Sequence, residues 1–327
     1  MLSRVAENVY WLSRYLERIE NTARLVNVYS RSLMDMPNVE SHKGWMPLIS
    51  ISGLDDLYLS QFDRATEADV TSFIISEKSN PGSMANVAMA IRNNLRSSRD
   101  IFPKQMYEKI SSLYRYINQH IAEGIHAGNR HMFLDAVSRQ SLEVGGAVHS
   151  MLRHDQAYKF MRMACYLERA DMTTRVLDVP SSLLVASDSQ LNGTQQDSDT
   201  RELSAFEVAQ WSGALYSASA MQMYRRHVRR PVSAQGVLQF LLNDEQLPSA
   251  YRFCLLRLDR CLNAFTNVEP VRSVVQSQLQ QLQNADIGSL ATDAAKRHQF
   301  LDDLQLGLIG THNAIASAYF PPVLETA

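Results

Sequence analysis

The stretch Tyr15-Leu16-Glu17-Arg18-Ile19-Glu20-Asn21-Thr22-Ala23-Arg24 returns later in the chain as Tyr166-Leu167-Glu168-Arg169-Ala170-Asp171-Met172-Thr173-Thr174-Arg175. Both copies keep Tyr-Leu-Glu-Arg, then an acid, a threonine and a final arginine at matching places. Around the first copy Val5, Val9, Leu12, Leu16, Ile19, Ala23 and Val26 recur at alternating steps of four and three. That is the apolar stripe of one long helix. Ser3 is placed to cap it and Pro37 to stop it. The second copy predicts a helix over 155–179 that ends at Pro180.

Outward from these two helices the same periodicity prevails. Residues 44–76 predict two short helices, with Thr66 capping the second and Glu67 in its first turn. Asn80-Pro81-Gly82-Ser83 reads as a helix start with Pro81 at the first helical position, the helix running to about Asp100. Pro103 opens another that fades near Gly124 and Gly128, and a further helix covers 131–151. Residues 181–200, rich in Ser, Asp, Gln, Asn and Gly, read as a polar linker. Helices resume over 202–229, 231–243, 248–266, 270–285 and 291–319, and no alternating β-branched run demands a sheet. The expected class is all-α, a multi-helix bundle. The repeat, with the weaker echo of Pro81 in Pro248, suggests two duplicated halves. The parts are 1–180 with both Tyr-Leu-Glu-Arg helices, the linker 181–200, and 201–327 packed on the first as one compact domain.

Composition narrows the function. Of 327 residues, 45% are hydrophobic and 20% charged, enough apolar content for a core and too much for global disorder. A net charge of −2 lacks the basic excess that nucleic-acid binding draws on. Arg4, Glu7 and Arg14 interrupt any signal-peptide core. The uncharged stretch Leu304–Leu324 is broken by Gly307, Gly310, His312, Asn313 and Pro321-Pro322, so no membrane span is expected. Cys165, Cys254 and Cys261 show no CxxC spacing and read as reduced core thiols of a soluble, cytoplasmic protein.

The chemistry sits in the repeat. At 100° per residue, Glu17, Glu20 and Arg24 fall within about 60° of one another and flank the apolar stripe. Glu168, Asp171 and Arg175 do the same in the second copy. Ala6, Ser13, Ala157 and Ala164 share those flanks, so a neighbouring helix can approach and partly bury the charges. Glu20–Arg24 and Asp171–Arg175 are acid-first i,i+4 pairs. Glu17 and Glu168 have no such partner, although Asn21 can bond to Glu17. They need an arginine from elsewhere, a metal or a ligand. Arg92, Arg96 and Arg99 form one basic row on the helix after Pro81 and are candidates for that role. Arg18 and Arg169 point off the row, toward other helices or solvent. The expected ligand site is therefore Glu17, Glu20, Arg24, Arg92, Arg96, Glu168, Asp171 and Arg175, suited to a peptide or carboxylate. The same groups also suit an architectural network, and both readings stand at this point.

Other signals are weaker. His120, Glu123 and His126 spread over too wide an arc for a metal helix, so no metal is expected. Arg225-Arg226-His227-Val228-Arg229-Arg230 reads as a solvated helix end favoured by the dipole, with an anionic partner as the alternative. No Walker loop, GxSxG elbow, zinc signature or dinucleotide fingerprint occurs, so no cofactor is expected.

The opening Leu2-Ser3-Arg4-Val5-Ala6-Glu7-Asn8-Val9-Tyr10-Trp11-Leu12, both repeat runs, Asn80-Pro81-Gly82-Ser83, Arg92-Asn93-Asn94-Leu95-Arg96, Trp211 and Phe240-Leu241-Leu242 resemble the alpha-E family, bacterial helical proteins with a recurrent Glu-Arg motif. The resemblance runs from Met1 to about Leu262. Asn93, where the family usually has an acid, and Ser249-Ala250, where it has Arg-Ser, depart from it. Members are commonly encoded beside circularly permuted ATP-grasp proteins and transglutaminase-like proteases. The resemblance thus implies an accessory or partner subunit of an ATP-grasp peptide ligation or modification system. One alternative is an enzyme in its own right, with Glu17 or Glu168 as general base or metal ligand. The other is a purely structural interaction module.

Overall fold

The computed structural model describes residues 1–34, 44–188 and 205–320. Every regular element among them is helical. The first part holds α1 (Ser3–Met34), α2 (Met46–Ser52), α3 (Asp55–Leu59), α4 (Glu67–Ile75), α5 (Met84–Ser97), α6 (Lys104–Ile125), α7 (Ala127–Met151) and α8 (Gln156–Asp188). The second holds α9 (Ala205–Ser217), α10 (Met221–His227), α11 (Ala234–Asn243), α12 (Tyr251–Leu262), α13 (Glu269–Gln283), α14 (Ile287–Thr292) and α15 (Ala294–Tyr319).

The stripe on α1 is buried from Val9 to Val26, with Leu12, Leu16, Ile19 and Ala23 between them, and Val5 is only partly covered. On α8, Met161, Ala164, Leu167, Ala170 and Leu177 are buried in the same way. These two helices form the spine of the bundle. α1 packs on α5, α7 and α8, and α8 packs on α1, α12 and α15. Ser13 on α1 donates its hydroxyl to the Met161 carbonyl of α8 at 2.7 Å. A short side chain can reach another helix's backbone only where the two approach closely, and Ala164 beside it leaves that room.

Several boundaries differ from those the sequence predicts. α8 does not end at Pro180 but continues to Asp188. A proline removes one backbone donor yet keeps a helical φ, so a helix held by its neighbours can run through it. Residues 181–188 thus leave the expected linker, whose remaining residues 189–200 lie outside the described residues, as does the stop at Pro37. Pro81 does not open α5. The Asn80 side chain accepts from the Gly82 N–H in a tight turn, and Ser83 caps the helix by accepting from Asn86. The helix expected over 202–229 is broken between α9 and α10, where Ser219 has φ 53°. Thr66 caps α4 through the Asp69 N–H, as expected. All three cysteines are free and buried. No described helix is long and apolar enough to cross a membrane.

Candidate functional site

The two repeat helices run parallel and lie level with each other. Their side-chain contacts join residues 148 to 154 positions apart, bracketing the spacing of the two motif copies. The Glu-Arg dipeptides therefore meet and pair crosswise. Arg18 donates from Nε and Nη2 to the two oxygens of Glu168 at 2.5 and 3.1 Å. Reciprocally, Arg169 donates from Nε and Nη2 to the two oxygens of Glu17 at 2.6 and 3.0 Å. Each is a bidentate fork, the strongest geometry available to this pair of side chains. The tyrosines that open the motif stack beside it: Arg18 lies over Tyr15, and Arg162 over Tyr166.

Each glutamate has one further donor, and here the copies differ. Arg14 donates from Nε to Glu168 at 2.5 Å. The equivalent place in the second copy is Cys165, whose thiol donates to Glu17 at 3.1 Å. Burial alone would raise the pKa of either carboxylate. Arg169, then Cys165 and Arg24, outweigh it at Glu17 and lower the value. Arg14 and Arg18 hold Glu168 well below the ordinary carboxylate range. Burial, and next Glu17, push the Cys165 thiol up to about 12, so it is a neutral donor rather than a thiolate.

The next acid and arginine of each copy bind within their own helix, as the spacing predicts. Arg24 Nη1 lies 2.5 Å from both oxygens of Glu20, and Arg175 Nε lies 2.8 Å from Asp171. Each arginine also ties down a neighbouring element. Arg24 donates to the Ser217 carbonyl of α9 at 2.6 Å, and Arg175 to the Ile51 carbonyl of α2 at 3.1 Å.

Three expectations are corrected. Arg18 and Arg169 do not point away from the seam; they are its cross-links. Long guanidinium arms on adjacent level helices bridge an angular offset that a single-helix projection treats as separation. Arg92 and Arg96, with Arg99, do not reach the glutamates. All three are exposed, Arg92 over the Tyr114 ring and Arg99 over Tyr107. α5 turns Met84, Val87, Ala88, Ile91 and Leu95 inward, which sets the arginines outside. Finally, Asn21 does not bond to Glu17. Its Oδ1 accepts from Arg24 Nη2 at 2.5 Å, while its buried Nδ2 has no partner.

Two cavities open on the Glu17 side. One, of about 310 Å³, lies between α1, α8 and the turn from the end of α9 into α10, with Glu17, Glu20, Asn21, Arg24 and Arg169 on its polar wall. The other, of about 250 Å³, lies against α7 and is lined by Ser13, Glu17, Ser141, Arg162, Cys165 and Arg169. They meet across Leu142, which lines both and is 64% exposed. Ser141 in the second cavity is also buried with an unpartnered hydroxyl.

Away from the seam, His298 on α15 lies 2.9 Å from Asp178 of α8 through Nδ1, and 3.4 Å from Asp302 through Nε2. Ligand atoms of the three fall within 4.8 Å of one another, so the group could hold a proton or a cation. His298 and Asp302 are four apart on α15, but Asp178 lies 120 residues earlier, so spacing does not reveal the group. His120 instead stacks on Tyr116 and bonds to its carbonyl, and His126 sits in the break between α6 and α7.

A bundle spined by two helices whose Glu-Arg dipeptides lock crosswise defines an all-helical Glu-Arg protein. The chain matches, over residues 1–320, the family described as Alpha-E, a predicted alpha-helical domain with a conserved ER motif, and it belongs to that family. Glu17-Arg18 and Glu168-Arg169 are the only Glu-Arg dipeptides in the chain. No curated protein and no solved structure matches it.

Proposed function

We propose that this protein is a binding partner in an ATP-grasp-type peptide ligation or modification system, holding a peptide or carboxylate ligand in the cavities beside the Glu-Arg seam. The observation that carries the binding part is Asn21. Asn21 lines the 310 Å³ cavity, and its amide nitrogen is buried behind that wall without a hydrogen bond. Leaving such a donor unmade costs about 1–3 kcal/mol, which a ligand oxygen would recover. The partner assignment rests on what membership of the family implies. The same reading takes a transglutaminase-like protease as a third component, and three reduced thiols suit a cytoplasmic setting. The duplication of the two halves belongs to the same reading, because crosswise pairing is what a doubled helix motif would produce.

Catalysis by the seam itself is less well supported. A general base must take up a proton near the working pH. Glu17 and Glu168 are both lowered, and arginines occupy both oxygens of each. A purely architectural module would account for the closed pairs but gives the two cavities beside Glu17 no role. The test is co-purification with the ATP-grasp protein, alongside ligase assays with and without this chain. A complex that alters ligation is expected. No complex and unaltered ligase activity would sink the proposal.

A further inference from the structure

The cavity beside Asn21 has a charge balance that narrows its occupant, given the binding role proposed above. Arg24 spends Nη1 on Glu20, Nη2 on Asn21 and Nε on the Ser217 carbonyl. Arg169 spends Nε and Nη2 on Glu17. Each guanidinium on the wall thus already has its own carboxylate. An entering carboxylate would add a net negative charge beside Glu17 and Glu20 in a partly enclosed cleft, which is costly without a fresh cation.

A neutral amide meets no such penalty. Its carbonyl can accept from the unpartnered Nδ2 of Asn21 once a small shift of the wall brings that buried atom to the cavity surface, and its N–H can turn to Glu20 Oε2, whose one hydrogen bond comes from Arg24. The apolar part of the wall is Leu142, Met172, Val176, Met223, Leu247 and Pro248, with Ser138, Thr173, Ser217, Ser219 and Ser249 between them. Two methionines in it suit a series of apolar groups rather than one shape. A volume of about 310 Å³ is at the small end of ligand sites, which span about 300–1,000 Å³, so it holds one or two residues.

We infer that this cavity recognises an internal amide of a peptide with an apolar side chain beside it, in preference to a free C-terminal carboxylate. The discriminating probes are N-acetyl-leucine amide and N-acetyl-leucine, titrated into the full chain carrying ¹³C-methyl methionine. The amide should shift the Met172 and Met223 methyl signals and leave Met106, buried elsewhere, unmoved. The acid should bind about tenfold more weakly or worse. Asn21→Asp keeps the acceptor toward Arg24 and removes the donor. It should weaken the amide about tenfold and lower the melting temperature, because the new carboxylate adds a buried charge beside Glu17 and Glu20. Equal or tighter binding of the acid at the same methionines overturns the inference while leaving the site in place, as does unchanged amide affinity in Asn21→Asp. If neither probe shifts Met172 or Met223, the site and the inference both fall. Should Asn21→Asp not fold, the methionine shifts in the unaltered protein decide alone.

Discussion

Glu17 and Glu168 hold the same place in two copies of one motif, yet their surroundings diverge. Glu168 is gripped by two arginines, Arg14 and Arg18, and its side chain is 3% exposed. Glu17 has one arginine and a thiol, is 12% exposed, and borders two cavities. At the position that supplies each glutamate's further donor, Arg14 in one copy stands against Cys165 in the other. A second guanidinium fills space and fixes charge, whereas a cysteine does neither. One half of the seam thus acts as a lock, and the other leaves room for a ligand.

The largest way to break this comparison is Glu168→Ala. It strands two arginines in a buried site, and removing one partner of such a network costs about 3–5 kcal/mol. Urea denaturation should show it. A loss below that of Glu17→Ala would reverse the assignment of lock and site. Glu17→Ala should cost less, about 1.5–3 kcal/mol, since one charge-assisted pair is lost and Arg169 can turn toward the cavities.

Acid separates the seam from the surface. Both glutamates have lowered pKa values in the fold. Their contribution is therefore complete above the unfolded value near 4.5 and is lost as pH falls from there through the folded values. Stability measured downward from pH 6 should drop in that window. In Glu168→Gln the drop should be shallower, and an unchanged slope would detach Glu168 from it.

The smallest effect belongs to Cys165→Ala, which removes a weak donor and should cost about 0.5–1.5 kcal/mol. Because burial and Glu17 keep the thiol protonated, a thiol reagent at neutral pH should modify Cys165 far more slowly than an ordinary exposed cysteine, although Cys165 borders a cavity. Rapid labelling of the native protein would show that Glu17 faces a thiolate, contrary to the account.

The helical class and the importance of the repeat were legible because they rest on local periodicity. Val9 to Val26 repeat at helical spacing, and Glu20–Arg24 and Asp171–Arg175 need only their own helix. What was not legible depends on how two helices meet. Nothing within 15–24 reveals that α8 lies parallel and level with α1, so Arg18 read as pointing away when it reaches Glu168. Arg14 carried no signal, because its partner is set by tertiary packing. The outward placement of Arg92 and Arg96, by contrast, could have been read from the apolar stripe of α5, whose face they do not share.

The crosswise pairing itself is tested most directly by double-mutant cycles with glutamine on Glu17, Arg18, Glu168 and Arg169, followed by chemical denaturation. Coupling of about 1 kcal/mol or more is predicted for Arg18 with Glu168 and for Glu17 with Arg169, and near zero for Glu17 with Arg18 and Glu168 with Arg169. Coupling within each dipeptide and none between the helices would contradict it.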